Sequence, residues 1–565
     1  MKNNISLFKA YRWDELYQSV KETQYSPSVN IDKQQTLAIK SMLLAAWWSD
    51  KTNAKNIVSK YPLIINDHIT YFFVTYTYIC LADVTKIVHY MANPPKNLPK
   101  WMNIYLQLEV LGRTKRAKEQ IIFLEKNTPK NKSLPDYIKM ALYKSLDYDE
   151  ADITYLKNYL IKHNVINDED SLSKLLCIRC SLVSIDELDV GNSPFLLQKK
   201  ARFLIYKNEP VESLKCYDTL AKTGFLDIDS VNTWLSIGIS LPQARQYYKQ
   251  RVKLAMSLVS GSLSIQASIA SFAIIFAWIE GNYELAYNII RQYKEFRLEN
   301  NKFTKMNHIF FTYILRLYIE WQNNKETYQK VANTKELYVY GESHSLSLSN
   351  VNFLLDGQMT HVNTNFIQGI KMYHLSKPSS GHFANCLLEY IKFVKPNSDL
   401  LFTIGEIDTR PDEGIWNTHL KKEKELNTLI DDTVSGYIEF LSENLKDKNP
   451  ASITIQGVPA PNYELKDKFD PGENKDGFLD MIRKVNKKME ELCLNKGYNF
   501  LDVYSATVGV DGKSNNKWHI DSFHLKPSFY TEADKWLIKP EVQEDPKPTA
   551  IDFSKHQTVS LSKPN

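Results

Sequence analysis

The spacing of apolar side chains changes near residue 335, and this change divides the chain into two regions. From about residue 12 to residue 330, apolar residues recur at the three- and four-residue intervals of α-helices, each roughly 12 to 18 residues long. Short polar breaks separate these segments, and convincing alternating strands are absent from them. The pattern therefore predicts an all-α domain over residues 1–334.

After residue 335, short apolar runs typical of buried strands alternate with longer segments that have helical spacing. The strands are predicted at 336–340, 399–404, 452–455 and 498–503, and the helices at 382–394, 421–445, 477–496 and 528–537. This alternation predicts an α/β domain over residues 335–540, with a parallel sheet covered on both faces. The Pro- and Lys-rich residues 541–565 are predicted to form a disordered tail.

Composition and charge exclude several classes of protein. A chain of 565 residues is too long for one core, and its net charge of +5 is small for a nucleic-acid binder, so no nucleic-acid partner is expected. The N-terminus has no apolar signal-peptide core, and the apolar run 269–279 is too short to span a bilayer. The six cysteines are scattered, which fits structural thiols in a reducing cytoplasm. We expect a cytoplasmic protein without a transmembrane segment.

The helical region contains a faint repeat. Around Gly112, Asn208 and Gly281, a turn residue stands five positions before a small residue, as in Gly281 to Ala286. The small residue suits a close approach of two helices, and the pattern resembles the tetratricopeptide repeat, whose period is about 34 residues. The resemblance implies an α-solenoid that binds a protein partner. The alternative is an ordinary helical domain without repeats.

Three side chains in the second region could form a hydrolytic site. Ser343 follows the first predicted strand in Gly341-Glu342-Ser343, and Asp521 and His524 lie near the end of the chain. A serine nucleophile needs a base to take its proton and an acid to orient that base. The three-residue spacing of Asp521 and His524 puts both on one side of a helical turn, so the carboxylate can orient the imidazole.

Each of these features also has a simpler interpretation. Ser343 could cap the following helix, the Asp521 to His524 segment could be a surface turn, and Asp408 and Arg410 could form a plain ion pair. No H-E-x-x-H or equivalent spacing appears among the histidines, so neither a metal site nor a cofactor is predicted. The order of the segments along the chain, at the ends of predicted strands, favours the catalytic interpretation.

The second region resembles the SGNH (GDSL-type) hydrolases over about 335–540. The similarity rests on Gly341-Glu342-Ser343, on Gly369 (or alternatively Gly381), on Gly405-Glu406-Ile407-Asp408 and on Asp521-Ser522-Phe523-His524. It implies a flavodoxin-like fold with Ser343 as nucleophile, His524 as base and Asp521 as its orienting acid. It also implies that the backbone N–H groups of Ser343 and Gly369 help bind the oxyanion. Asp408 and Arg410 are further candidates for binding the oxyanion or the substrate.

The chain departs from the family pattern at Ile407, where the family has an asparagine whose side chain completes the oxyanion hole. Losing one such donor costs about 100- to 1,000-fold in rate. Thr409, Arg410 and His344 are the nearest polar candidates to replace it, and Arg410 could instead hold an anionic substrate group.

The function expected from the resemblance is that of a serine esterase or O-acyltransferase acting on an acylated carbohydrate or small ester. The alternative is a catalytically impaired ligand-binding module attached to a protein-binding solenoid.

Overall fold

The computed structural model of the chain describes residues 67–541 with internal gaps, together with the single residues 43, 54, 57 and 58. The gaps are 115, 128–133, 146–152, 166–169, 192, 224–225, 227, 259–262, 294–301, 330, 333, 423, 465–470 and 473. The helices predicted before residue 67 therefore lie almost wholly outside the described residues, and the predicted disordered tail lies outside them from residue 542 onward.

The chain divides into two compact units, which we call the helical unit and the sheet unit. The helical unit contains 1–324, 365–370 and 377–393, and the sheet unit contains 325–364, 371–376 and 394–565. The predicted domains, 1–334 and 335–540, put residues 365–370 and 377–393 in the α/β domain, whereas these two segments belong to the helical unit. One of these segments is held by Asn208, whose side-chain amide donates to the carbonyl of Pro378 at 2.8 Å.

Between residues 67 and 324, the described part of the helical unit consists mainly of consecutive helices. They are α1 His68–Leu81, α2 Val84–Ala92, α3 Lys100–Arg113, α4 Ala117–Asn127, α5 Asp136–Ser145, α6 Ile153–Lys162, α7 Ser171–Arg179, α8 Pro194–Tyr206, α9 Pro210–Thr223, α10 Ile228–Ile239, α11 Tyr248–Leu258, α12 Leu263–Ile279, α13 Tyr283–Gln292 and α14 Lys302–Asn323. Side chains that accept backbone N–H groups start several of them, as Asp67 does for α1 and Asp170 for α7. None of the helices in the described part of the chain is long and apolar enough to cross a membrane.

Two of the three predicted repeat turns occur where the sequence placed them. Asn208 and Gly281 have φ values of 63° and 71° and lie between paired helices, α8–α9 and α12–α13. The small residues five positions later, Ser213 and Ala286, are fully buried. Gly112, by contrast, lies inside α3. The helical character of this region is therefore established, while a tetratricopeptide-like solenoid stays a prediction.

The sheet unit is organised around a seven-stranded mixed sheet. Its strands are β1 Lys335–Gly341, β2 Asn352–Leu355, β3 Gln358–Phe366, β4 Asp399–Thr403, β5 Ser452–Gln456, β6 Asn499–Leu501 and β7 Leu537–Ile538, in the order β2-β3-β1-β4-β5-β6-β7. Strands β1, β4, β5 and β6 pair in parallel, whereas β2–β3 and β6–β7 are antiparallel. The predicted parallel sheet is thus correct for these four strands, but the sheet as a whole is mixed.

The structure describes eight further helices between residues 344 and 530. They are α15 His344–Ser347, α16 Met372–Ser376, α17 Phe383–Ile391 (in the helical unit), α18 Gly414–Lys422, α19 Leu426–Leu445, α20 Lys475–Asn495, α21 Val503–Thr507 and α22 Pro527–Tyr530. The predicted helix 421–445 is interrupted, because Glu425 starts α19 by accepting the N–H groups of Asn427 and Thr428. The predicted last helix, 528–537, is instead a short α22, a 3₁₀ turn at Ala533–Trp536 and the strand β7.

The ends of β1 and β4 lie side by side, and this contact positions the candidate site. Gly341 pairs with Thr403 in the parallel register. A Cβ atom on Gly341 would lie 2.0 Å from the Thr403 hydroxyl oxygen and 2.7 Å from its carbonyl oxygen, so only glycine fits there. Since parallel strands end at the same edge of a sheet, Ser343 after β1 and Glu406 after β4 emerge at one edge.

Candidate active site

Ser343 lies in the tight turn between β1 and α15. Its backbone is helical, with φ −57° and ψ −23°, and its side chain makes no hydrogen bond that caps α15. The hydroxyl oxygen instead lies 2.7 Å from Nε2 of His524 and 2.5 Å from a carboxylate oxygen of Glu342. The side chain of Ser343 therefore does not cap α15.

His524 and Asp521 form a pair on the loop before α22. His524 Nδ1 lies 2.9 and 3.0 Å from the two carboxylate oxygens of Asp521. The same carboxylate accepts the backbone N–H groups of Phe523 and His524, each at 2.8 Å. Burial alone would raise the pKa of Asp521, but the charge of His524 and these hydrogen bonds hold it well below its usual value. A carboxylate that stays ionised in this position can orient the His524 ring.

Ser343, His524 and Asp521 thus form one continuous chain of hydrogen bonds. Of these three side chains, His524 is 3% exposed and Asp521 14% exposed. The loop that carries the pair is anchored by a β-bridge between His519 and Leu525 and by Asn462, whose amide donates to the Asp521 carbonyl at 2.8 Å. The structure therefore brings together the three residues that the sequence singled out for nucleophilic chemistry.

A second carboxylate–histidine pair lies on the other side of Ser343. His344 Nδ1 is 2.5 Å from Glu342, and His344 Nε2 is 3.0 Å from the carbonyl oxygen of Phe523. Burial alone would lower the pKa of His344, but the Glu342 carboxylate raises it to about 9. Burial would likewise raise the pKa of Glu342, yet His344 lowers it to about 2. Because both ring nitrogens face acceptors, His344 is held as an imidazolium.

Asp408, predicted to lie beside the substrate, has a different role. It is fully buried, and its two carboxylate oxygens accept the backbone N–H groups of Met372 at 2.8 Å and Tyr373 at 3.1 Å. Burial raises the pKa of Asp408 to about 6, although these backbone hydrogen bonds oppose the rise. We therefore reassign Asp408 from substrate contact to support of α16, whose start it holds. It forms no ion pair with Arg410.

Arg410 pairs instead with Glu406, at 2.5 to 3.0 Å through Nε and Nη2. Its guanidinium carbon lies 4.2 Å from the centre of the Phe523 ring. Burial would lower the pKa of Arg410, but Glu406 raises it. The side chain is 17% exposed, so this cation keeps partial access to solvent beside the loop that carries His524.

The predicted oxyanion groups are only partly accounted for. Thr409 donates its hydroxyl to the carbonyl of Glu406 at 2.9 Å, and both ring nitrogens of His344 are engaged. Arg410 is the third candidate to replace the asparagine of the family pattern. Its pairing with Glu406 uses Nε and Nη2 but not Nη1, so it has a further donor group. Gly369 lies in segment 365–370 of the helical unit with φ 76°, a conformation that favours glycine. Its oxyanion role stays a prediction.

Several contacts that shape the site were not predicted from the sequence. Glu342 and His344 flank Ser343 in the sequence, but no sequence motif indicates that their side chains contact each other. Ser347 donates its hydroxyl to the carbonyl of Leu525 at 2.6 Å. His519 Nδ1 is 2.8 Å from the hydroxyl of Ser514, and burial, with the charges of neighbouring histidines, lowers the pKa of His519 to about 4.

Within the described residues, one group of three metal-binding side-chain types lies close together: Glu342, His344 and His524, whose ligand atoms are within 4.8 Å of one another. Each of their ligand atoms already bonds within the network, to Ser343, to the Phe523 carbonyl or to each other. A metal ion would have to replace those bonds, so the donor set fits a hydrogen-bonded network better than a metal centre.

Comparison of the chain with models of protein families and with curated proteins finds no match. The site's geometry therefore carries the functional argument.

Proposed function

We propose that the chain is a serine-dependent ester hydrolase or O-acyltransferase of the SGNH type, acting on acyl groups of a carbohydrate or a small ester. The observation that carries this proposal is the hydrogen-bonded chain from the Ser343 hydroxyl through His524 to Asp521. Contact distances of this kind are what a nucleophile and its general base require. The order of the strands β1, β4, β5 and β6 is compatible with the flavodoxin-like fold of that family.

In the proposed reaction, His524 Nε2 takes the proton of the Ser343 hydroxyl as the oxygen attacks the acyl carbonyl carbon. The C–O bond to the leaving alcohol then breaks, and His524 gives its proton to that alcohol. Water or an acceptor hydroxyl next loses a proton to His524 and attacks the carbonyl carbon of the acyl-serine. The bond from that carbon to the Ser343 oxygen then breaks, and His524 returns its proton to this oxygen. The single proton of the Ser343 hydroxyl can face either Glu342 or His524 Nε2, and it must face Nε2 for this transfer. With a pKa of about 2, Glu342 is a much weaker base than an imidazole.

The tetrahedral intermediate places a negative charge on the former carbonyl oxygen. The family resemblance assigns the N–H group of Ser343 to that oxygen, and the proposal adds Arg410 as the donor in place of the family's asparagine. A small recess lies beside Phe523; its lining combines polar side chains, such as Glu406 and Thr409, with Tyr463 and with apolar residues, such as Pro459 and Ile482.

The test uses a fluorophosphonate probe and an activated acetyl ester on the full chain. We expect labelling of Ser343 and a burst of product, both lost in Ser343→Ala and in His524→Ala. The matched control is Ser505→Ala, an exposed serine of the same unit. If well-folded wild-type protein takes up no probe, or if both site variants keep full turnover, the proposal is wrong. Adding an acceptor sugar to the burst assay separates hydrolysis from transfer.

A second function is favoured by one observation, the apolar Ile407 where the family carries a donor. In that case the sheet unit is a catalytically impaired module that binds a ligand, and the helical unit binds a protein partner. Absence of probe labelling, combined with binding of an acylated sugar, would favour this alternative.

A further inference from the structure

The turn that carries Ser343 also holds the loop that carries His524. The two carbonyl groups on either side of His524 belong to Phe523 and Leu525. His344 Nε2 meets the first at 3.0 Å, and the Ser347 hydroxyl donates to the second at 2.6 Å. Both donors belong to α15, the four-residue helix directly after Ser343. The nucleophile and the base are therefore connected by two hydrogen bonds that involve neither reacting group.

The charge state of His344 is fixed from its other side. Its Nδ1 faces one oxygen of Glu342 at 2.5 Å, and the second oxygen of Glu342 accepts the Ser343 hydroxyl at 2.5 Å. Glu342 and His344 are 1% and 2% exposed, so water does not screen their charges. An imidazole with acceptors at both nitrogens needs a proton on each.

We propose that Glu342, His344 and Ser347 form a brace that positions His524 against Ser343, and that the brace is intact only while His344 carries both ring protons. The brace is distinct from the nucleophile, base and acid of the proposed reaction, since none of its members exchanges a proton with the substrate. Its effect on turnover rests on the proposed function, whereas its effect on the geometry of His524 does not.

The surrounding charges favour the protonated form of His344 at neutral pH. Burial opposes protonation of His344, but the Glu342 carboxylate, the Glu406 carboxylate and the hydrogen bond to the Phe523 carbonyl raise its pKa. The net result is a pKa of about 9. As pH rises through that value, Nε2 or Nδ1 loses its proton, and one of the two acceptors loses its hydrogen bond. Activity should therefore decline on the alkaline side.

The simpler interpretation is that Glu342 and His344 are only a buried ion pair that stabilises the fold. The two interpretations differ in what they predict for Ser347 and Ser345. Both serines are buried in α15 and both donate to a carbonyl, but Ser345 bonds within its own turn, to Glu342 at 2.7 Å. A structural role predicts similar consequences for the two alanine variants, whereas the brace predicts that only Ser347 affects catalysis.

The first experiment compares kcat, KM and the pH profile of His344→Gln, Ser347→Ala and Ser345→Ala with an activated acetyl ester. Ser347→Ala should lower kcat about tenfold with KM unchanged, the rate equivalent of one hydrogen bond. His344→Gln should lower kcat by at least as much and remove the alkaline decline near pH 9. Equal losses of kcat in Ser345→Ala and Ser347→Ala, or an unchanged alkaline limb in His344→Gln, would overturn the brace.

The second experiment needs no turnover, so it separates failure of the brace from failure of the proposed function. Nitrogen NMR of ¹⁵N-histidine-labelled full-length protein reports the protons on each ring. We expect His344 to be doubly protonated at pH 7, and we expect the His524 signals to shift in His344→Gln and in Ser347→Ala but not in Ser345→Ala. A neutral His344 at pH 7, or unchanged His524 signals in both brace variants, contradicts the brace even if the enzyme is active. Shifted signals in a protein that takes up no fluorophosphonate would support the brace while excluding the proposed reaction.

Discussion

Two carboxylate–histidine pairs flank Ser343, and they differ in what the second ring nitrogen of each histidine meets. His524 binds Asp521 through Nδ1 and meets the Ser343 hydroxyl through Nε2. His344 binds Glu342 through Nδ1 but meets the Phe523 carbonyl through Nε2. A hydroxyl can give or accept a proton, whereas a carbonyl can only accept a hydrogen bond. The first ring is therefore free to exchange a proton, and the second is held charged.

The two carboxylates differ as well. Asp521 accepts two backbone N–H groups in addition to its histidine, whereas Glu342 has the Ser343 hydroxyl and a longer contact of 3.3 Å from the His344 N–H. Removal of His524 would still leave Asp521 with backbone partners. Glu342 depends mainly on His344, so disrupting that pair leaves a buried charge with little compensation.

Asp521→Asn is the substitution expected to distinguish the roles of the two carboxylate–histidine pairs most strongly. The amide would no longer fix the tautomer in which His524 Nε2 can take the serine proton, and kcat should fall about 10,000-fold with the fold intact. Steady-state kinetics on the acetyl ester, together with near-UV circular dichroism, measures this. Asp480→Asn, which changes a carboxylate in a surface pair with Arg483, is the matched control and should keep wild-type kcat. A fall of less than tenfold in Asp521→Asn would mean that Asp521 does not orient the base.

The second pair should dominate stability. Glu342→Gln leaves a buried imidazolium unpaired, or neutralises it, and should lower the free energy of unfolding at pH 6 by about 3–5 kcal/mol. His344 has a folded pKa of about 9, above its usual 6.5, so its stabilising contribution is complete below about pH 6.5 and is lost as pH rises through 9. Urea unfolding at several pH values should show this loss in the wild type and a flatter curve in the variant.

The matched control for this measurement is Glu439→Gln, which removes a carboxylate from an exposed pair with Lys496 and should change stability by less than about 1 kcal/mol. A wild-type unfolding free energy that stays constant between pH 7 and pH 9 would contradict the charged state assigned to His344.

Asp408 is a buried carboxylate that pairs with no histidine, and its substitution has the smallest expected effect of the three. Asp408→Asn places an N–H₂ group near the N–H groups of Met372 and Tyr373 and should lower the free energy of unfolding by about 1–3 kcal/mol. Turnover per folded molecule should not change. The wild type should lose stability as pH rises from about 4 through 6, because the folded state holds the Asp408 proton more tightly than the unfolded state. A selective loss of kcat in this variant would return Asp408 to the substrate site.

Much of the candidate site followed from the positions of residues relative to the predicted strands. Ser343 after the first strand and His524 on the last loop were expected to meet, because parallel strands end at one edge of the sheet. No comparable sequence signal indicates in which direction a side chain within a loop points. Asp408 stood in the expected block, yet its side chain turns to the backbone of α16. Contacts such as Ser347 with Leu525 join distant segments and cannot be expected from either segment alone.

The fold was predicted least well where strands are short or polar. The hairpin of β2 and β3 was missed, although Asp356-Gly357 between them is a turn signal, and both residues have positive φ values. Strand β7 was missed, and its first residue was placed at the end of the predicted helix 528–537, because the two residues Leu537 and Ile538 are too few to show alternation. The four parallel strands were found because each contains a short segment rich in aromatic, β-branched or leucine residues.

Phe523 contacts both carboxylate–histidine pairs. Its N–H bonds to Asp521, its carbonyl accepts from His344, and its ring lies against the guanidinium of Arg410. The ring of this one residue therefore packs against the Arg410 guanidinium, while its backbone bonds to one member of each carboxylate–histidine pair.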